Sequence, residues 1–247
     1  MDEAMPNGIS GRFVLGGAVA AGAMAVLANV CMRPDSQMLG RTLVAGNDPR
    51  EWALTYDDGP NDRSTPELLA LLDRFGARAT FFFIGKFVAQ RPDLVRDVHA
   101  AGHIVGNHTM THPFLANKSV PLIRDELSRC NSLLEDTLGG PVRYFRAPYG
   151  ARRPAVLRCA RELGLQPVQW NVQGNDWEPI GTAGIVRRLE RGLDQVGRRG
   201  RGGNILLHDG FDQYMSFDRS DSVHATEHVL LNAREQGKRI VTVDAWG

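Results

Sequence analysis

The chain has 247 residues, with 29 Lys and Arg against 28 Asp and Glu, a formal charge of +1, 43% apolar residues and 7% aromatic. That length buries the core of one globular domain and leaves room for an appendage. The balance excludes a mini-protein, a disordered chain and a multi-span membrane protein, and offers no charge-based reason to expect nucleic acid or another polyanion as partner.

In chain order, the first feature is an uncharged run over residues 13–30, FVLGGAVAAGAMAVLANV, between Arg12 and Arg33-Pro34-Asp35. Its Ala and Gly content makes it mildly hydrophobic, which favours the apolar part of a secretory signal, although its length also reaches that of a membrane span. An uncleaved anchor and an ordinary buried helix are the other readings. Residues 1–31 are therefore expected to be a signal peptide or anchor, with the protein secreted or held at the cell envelope, and residues 32–49 a linker. Val30 before Cys31 is a poor fit to a lipoprotein cleavage site. The remaining cysteines, Cys130 and Cys159, fall in helix-like segments and are expected as buried free thiols, since Cys packs as a small hydrophobe.

From Arg50 onward short apolar runs predict strands over 52–56, 79–84, 103–106, 142–146, 167–172, 204–208 and 239–243. Helical periodicity lies between them, from Ser64 and over 92–101, 120–138, 154–163, 182–196 and 223–236. Ser64-Thr65-Pro66-Glu67 carries cap residues, Pro at a first helical position and an acid in the first turn. Strands alternating with helices predict an α/β fold. Right-handed crossovers make a closed or nearly closed β/α barrel of about seven parallel strands the simplest arrangement for one domain over residues 50–247.

Chemistry-bearing residues follow the predicted strands at their carboxyl ends, which in such a barrel open onto one face. His108 and His112 are four apart, so one helical turn would present both imidazoles to one metal ion. A histidine pair at that spacing is by itself a weak signal. A carboxylate must complete a catalytic site of three protein ligands, and the adjacent Asp57 and Asp58 can supply it where the strand breaks at Gly59-Pro60, one binding metal and the other staying free as a base. His208, after the apolar Ile205-Leu206-Leu207, reads either as a hydrogen-bonded histidine at a strand end or as an acid of the kind that amide hydrolysis needs, since an amine leaves poorly unless protonated. Arg146 can hold a carboxylate ionised and oriented. Trp177 reads either as a wall of a sugar site or as core. Residues 211–217 read either as a substrate-facing loop or as packed surface.

Taken in order, TYDDGP (55–60), HTMTH (108–112), RAPYG (146–150), NDW (175–177) and LLH (206–208) resemble the successive motifs of the NodB homology domain of polysaccharide deacetylases, carbohydrate esterase family 4. The likeness spans about residues 50 to 245. It implies a distorted β/α barrel and removal of N-acetyl groups from a glycan containing N-acetylglucosamine, such as chitooligosaccharide or peptidoglycan, with Asp57 as base, Asp58, His108 and His112 as metal ligands and His208 as acid. Arg146 would orient Asp57, and the Tyr149 backbone N–H would hold the oxyanion. The implied cofactor is a divalent metal, zinc foremost, with cobalt, nickel or manganese as the others; the implied partner is the acetylated glycan, with no obligate protein partner evident. Relatives with these motifs include O-acetyl (acetylxylan-type) esterases, and a non-catalytic carbohydrate-binding relative is the third possibility. One position departs: Gln173 stands where the family has the first Asp of D-x-x-D-W, while Asp176 and Trp177 are retained. That Asp supports the catalytic histidine, and Gln adds no negative charge, so a lowered working pKa is expected for His208.

Overall fold

The computed structural model describes residues 34–247, so residues 1–31, with the expected signal or anchor and Cys31, lie outside the described residues. Among the described residues, no helix is long and apolar enough to cross a membrane.

Eight strands form one sheet: β1 (Glu51–Gly59), β2 (Thr80–Phe83), β3 (Ile104–Asn107), β4 (Tyr144–Phe145), β5 (Gln166–Pro167), β6 (Val172–Gln173), β7 (Gly203–His208) and β8 (Arg239–Val241). The order is β5-β4-β3-β2-β1-β7-β6, with β8 also paired to β1, and every pairing is parallel. The helices are α1 (Ser64–Arg74), α2 (Gly85–Val88), α3 (Pro92–Ala100), α4 (Val120–Leu138), α5 (Pro154–Glu162), α6 (Gly181–Arg198) and α7 (Ser220–Glu235). The result is the expected distorted β/α barrel. Its central strand β1 is buried along nearly its whole length, as befits a parallel strand covered on both faces.

The predicted strand over 167–172 is in fact two short ones that serve opposite edges. β5 pairs with β4 and β6 with β7, so residues 168–171 carry the chain across the gap and close the barrel. The predicted linker also packs. Leu43 bridges to Val168 alongside that crossing, and Asn204 Nδ2 donates to the carbonyls of Val44 and Gln169, at 2.8 Å each. Arg152, fully buried, donates to the carbonyl of Ser36 at 2.6 Å.

Local chemistry sets the element ends. Helix α4 starts at Ser119, whose side chain accepts from Leu122 N–H, and stops at Gly139, whose φ of 67° lies where glycine is favoured. Helix α1 is capped differently from expectation. Asn61 Oδ1 accepts from the N–H groups of Arg63 (2.9 Å) and Ser64 (3.1 Å), which frees Thr65 to reach Asp209 on the next strand end. Cys130 and Cys159 are buried free thiols.

The barrel interior rises in layers towards the site. Phe82, Val168 and Val243 pack at one level. Gly106 permits it, because a Cβ there would sit 2.6 Å from the Phe82 ring. The Arg146 guanidinium lies on that ring at 4.3 Å, and a polar layer of Thr55, Arg146 and Asp57 follows above.

Candidate active site

A cleft of about 460 Å³ opens at the carboxyl ends of the strands, with Asp57, Asp58, His108, His112, Trp177 and His208 among its lining residues. A larger groove of about 1010 Å³ runs between α6 and α7 past Trp52 and Lys238, and none of the strand-end residues reach it.

Asp57 and Asp58 reach the same mouth because the backbone breaks register there. The β1–β2 pairing shifts between Asp57 and Gly59, and Asp58 has φ of 74°, a region sparsely populated by side-chain-bearing residues. Strain of this kind concentrates at functional sites. Asp57 Oδ1 accepts from Arg146 Nη1 at 2.8 Å, and the same nitrogen donates to Thr55 Oγ1 at 2.8 Å.

His108 and His112 converge, but not on a helical turn as their spacing suggested. They lie in a loop where Thr109 (φ 69°) and His112 (φ 64°) are left-handed. Side chains hold this loop: Asn107 Oδ1 accepts from Thr109 N–H at 2.8 Å and Thr109 Oγ1 from His112 N–H at 3.0 Å. From α4, Glu126 accepts from Thr111 N–H (2.8 Å) and Thr111 Oγ1 (2.6 Å). The threonines of HTMTH thus fold the loop, and the histidines are left to face the cleft.

Asp58 Oδ1 lies 3.4 Å from His108 Nε2 and 3.1 Å from His112 Nε2, and all three groups are buried. The residues fit a metal ion. Asp58 Oδ1 is buried without a hydrogen-bond partner, and a carbonyl can only accept, so the 2.8 Å contact of His108 Nδ1 with Arg146 O puts the proton on Nδ1 and leaves Nε2 its lone pair. Two imidazole nitrogens and one carboxylate oxygen make a donor set suited to a divalent cation of intermediate softness. Burial disfavours a charged His108, yet Asp57 and Asp58 outweigh it and raise its pKa, a sign that the pocket draws positive charge. Burial also opposes ionisation of Asp58, but the two imidazoles hold its carboxyl well below the usual range.

His208, at the end of β7, is supported by Asp176. Its Nδ1 meets Asp176 Oδ1 at 2.8 Å, while Asp176 Oδ2 accepts from His208 N–H (2.7 Å) and Ser222 Oγ (2.6 Å). Burial alone would depress the imidazolium, but the Asp176 charge and hydrogen bond, with Asp58 beyond, raise its pKa to about 9. This corrects the role assigned to position 173: the Gln173 side chain accepts from Trp170 Nε1 at 2.7 Å, and the carboxylate that supports His208 is Asp176. Trp177 is 48% exposed and stands edge-on to His208 at 5.5 Å between centroids, which makes it a wall of the cleft and not core. Tyr149 (φ 59°) is half-exposed across the cleft, its ring 4.8 Å from that of His112.

Three residues that sequence reasoning did not single out complete the site: Ser222, Arg219 and Asp212. Arg219 donates to the carbonyls of Gly210 (2.7 Å) and Asp176 (3.1 Å). Ser222 and Arg219 sit at the start of α7, 14 and 11 residues after His208, and no local pattern marks them.

A parallel barrel whose strand ends gather a paired Asp–Arg, an Asp–His–His donor set and an Asp-supported histidine is a metal-assisted hydrolase. Similarity to known proteins agrees. The model of the polysaccharide deacetylase family matches residues 45–168. A chitooligosaccharide deacetylase of Azorhizobium caulinodans is 38% identical over 159 residues, 64% of this chain and 72% of the relative. A peptidoglycan-N-acetylglucosamine deacetylase of Bacillus cereus is 36% identical over 199 residues, 80% and 88% of the two chains. The solved structure of a peptidoglycan N-acetylglucosamine deacetylase superposes with a TM-score of 0.73 at 28% identity, covering 83% of this chain and 91% of that one. The chain belongs to the polysaccharide deacetylase family, carbohydrate esterase family 4, and is an enzyme of that metal-dependent family.

Proposed function

We propose that the enzyme hydrolyses the N-acetyl groups of a glycan containing N-acetylglucosamine, a chitooligosaccharide or peptidoglycan, releasing acetate and a free amino sugar. The observation that carries this reading is the buried Asp176–His208 pair, which keeps an acid protonated at neutral pH beside the Asp57–Arg146 pair. An amide needs such an acid because its amine departs poorly unprotonated, whereas an ester leans on it less.

Asp58, His108 and His112 would hold the cation, for which zinc suits the imidazole-rich set. When bound, a divalent cation supplies Lewis acidity towards the acetyl carbonyl and the attacking water. Asp57, aimed by Arg146, takes the proton of that water. The Tyr149 backbone N–H stabilises the tetrahedral oxyanion, a contribution of about 3 kcal/mol for a well-placed donor. His208 then protonates the departing amine through Nε2, with Nδ1 on Asp176 fixing the ring. Trp177 packs against the sugar. We further place the enzyme at the cell envelope or outside the cell, on the strength of the apolar run over residues 13–30.

The test is acetate release from N-acetylated chitooligosaccharides, peptidoglycan and acetylated xylan, with chelator and with metal restored. Acetate and new primary amine from an N-acetylated substrate are expected. Release from acetylated xylan alone would replace the amide reading with an ester one, and no release from any substrate with metal restored would favour a binding protein.

A further inference from the structure

The loop after β7 has little regular structure, yet its backbone is pinned at three carbonyls. Lys86 Nζ donates to Asp212 O, Asn61 Nδ2 to Phe217 O at 2.9 Å, and Arg219 Nε to Gly210 O at 2.7 Å. Phe211 fills the loop from inside, its ring 5.3 Å from Tyr214 and 4.7 Å from Phe217. The segment therefore holds Asp212 at the cleft rim in a fixed place, beside Phe211. Asp212 Oδ2 lies 3.4 Å from His112 Nδ1 and 3.4 Å from the Tyr149 hydroxyl, with the Asp212 side chain 25% exposed.

His112 needs such a partner. His108 has the Arg146 carbonyl on its Nδ1, which fixes its tautomer, but His112 Nδ1 is buried with no hydrogen bond made to it. Its ring is packed between those of His108 at 5.0 Å and Tyr149 at 4.8 Å, so the imidazole can turn little and the acid facing Nδ1 is Asp212. A carboxylate on the far nitrogen of a ligating imidazole fixes the proton there and makes the near nitrogen a better donor.

We propose that Asp212 is a positioning residue for the metal site: it holds the His112 proton on Nδ1, leaves the Nε2 lone pair facing Asp58, and ties that ligand to the Tyr149 loop through the phenol. This rests on the metal-binding role of Asp58, His108 and His112. The substrate-framing loop and the cation would then be coupled through one carboxylate.

The test is metal affinity, independent of any glycan: competition titration of Zn²⁺ between the purified full chain and a chromogenic chelator. Asp212→Ala is expected to weaken binding by roughly 10- to 100-fold. Asp212→Asn, which keeps an acceptor and loses the charge, should fall between that variant and the wild type. Gln213→Ala, an exposed neighbour, should bind as the wild type does. The Lys86 contact is to the Asp212 backbone, so unchanged thermal unfolding of the metal-free variants is expected alongside. Wild-type affinity in both Asp212 variants would overturn the proposal. Equal affinity in the wild type and His108→Ala would instead overturn the metal site itself, and the proposal with it.

Discussion

Asp176→Asn isolates the claim that His208 is kept charged by its neighbour. The carboxylate takes three donors, from His208 Nδ1, His208 N–H and Ser222 Oγ. An amide has one oxygen to offer them, so it either sets an NH₂ against the backbone N–H or turns that NH₂ towards Nδ1 and forces the other tautomer. Either way the imidazolium loses its support. Its pKa of about 9 then falls back towards the ordinary 6.5, because burial is opposed only by the Asp58 charge beyond. The difference is worth about 3 kcal/mol of preference for the charged form. The sign is fixed by the acid role: activity requires the protonated ring, so it is present below the folded-state pKa and lost as pH rises through it. Near pH 8 about nine-tenths of wild-type His208 is charged against about 3% for an imidazole returned to 6.5, a loss of up to about 30-fold in kcat/KM that all but vanishes near pH 5.5. Linkage adds an equilibrium counterpart. A raised His pKa stabilises the fold fully below 6.5 and progressively less up to about 9, so the variant's stability deficit is largest in acid and fades in alkali. Acetate release from an N-acetylated chitooligosaccharide, followed across pH, gives the rates, and urea unfolding at matched pH gives the stabilities. An alkaline limb at the same pH in both proteins would refute the assigned role of Asp176.

Further substitutions probe the supporting structure. Arg146→Ala leaves the Asp57 carboxylate buried without its ion-pair partner and should destabilise the fold by about 3–5 kcal/mol in urea titration. Gly106→Ala drives a methyl to 2.6 Å from the Phe82 ring on which Arg146 rests, and about 1–3 kcal/mol of lost stability is expected, with kcat/KM falling as Arg146 shifts. Gln173→Ala frees the Trp170 indole but touches nothing on His208, so the alkaline midpoint of the pH–rate profile should stay where the wild type has it.

The sequence located the site better than it described how the site is assembled. Strand-end clustering in a parallel barrel follows from topology, so Asp57, Asp58, His108, His112, Arg146 and His208 were legible from alternating periodicities and from which residue types end each run. The route by which they meet was not. The histidine spacing suggests a helix, but the loop is folded by Asn107 and Thr109 side chains and clamped by Glu126 from α4, and such side-chain-to-backbone contacts leave no periodic trace. The strand over 167–172 was visible as one apolar run, yet its two halves pair with opposite edges, which depends on barrel closure and not on local propensity. Gln173 misled for a related reason. A motif position carries a role only through the geometry around it, and here Asp176 reaches His208 with both oxygens. Asp212 stood in view as an acid in an aromatic loop after the His208 strand; its partner, His112, is a hundred residues earlier in the chain.

The central claim is that one divalent cation, held by Asp58, His108 and His112, is required for acetate release. The most direct measurement is metal content per chain alongside turnover on an N-acetylated glycan, for the wild type, for His108→Ala and for protein stripped by chelator and reloaded. One cation per chain in the wild type is expected, with none retained by His108→Ala and with activity that disappears on stripping and returns in proportion to cation restored. Full turnover by cation-free protein would contradict the account.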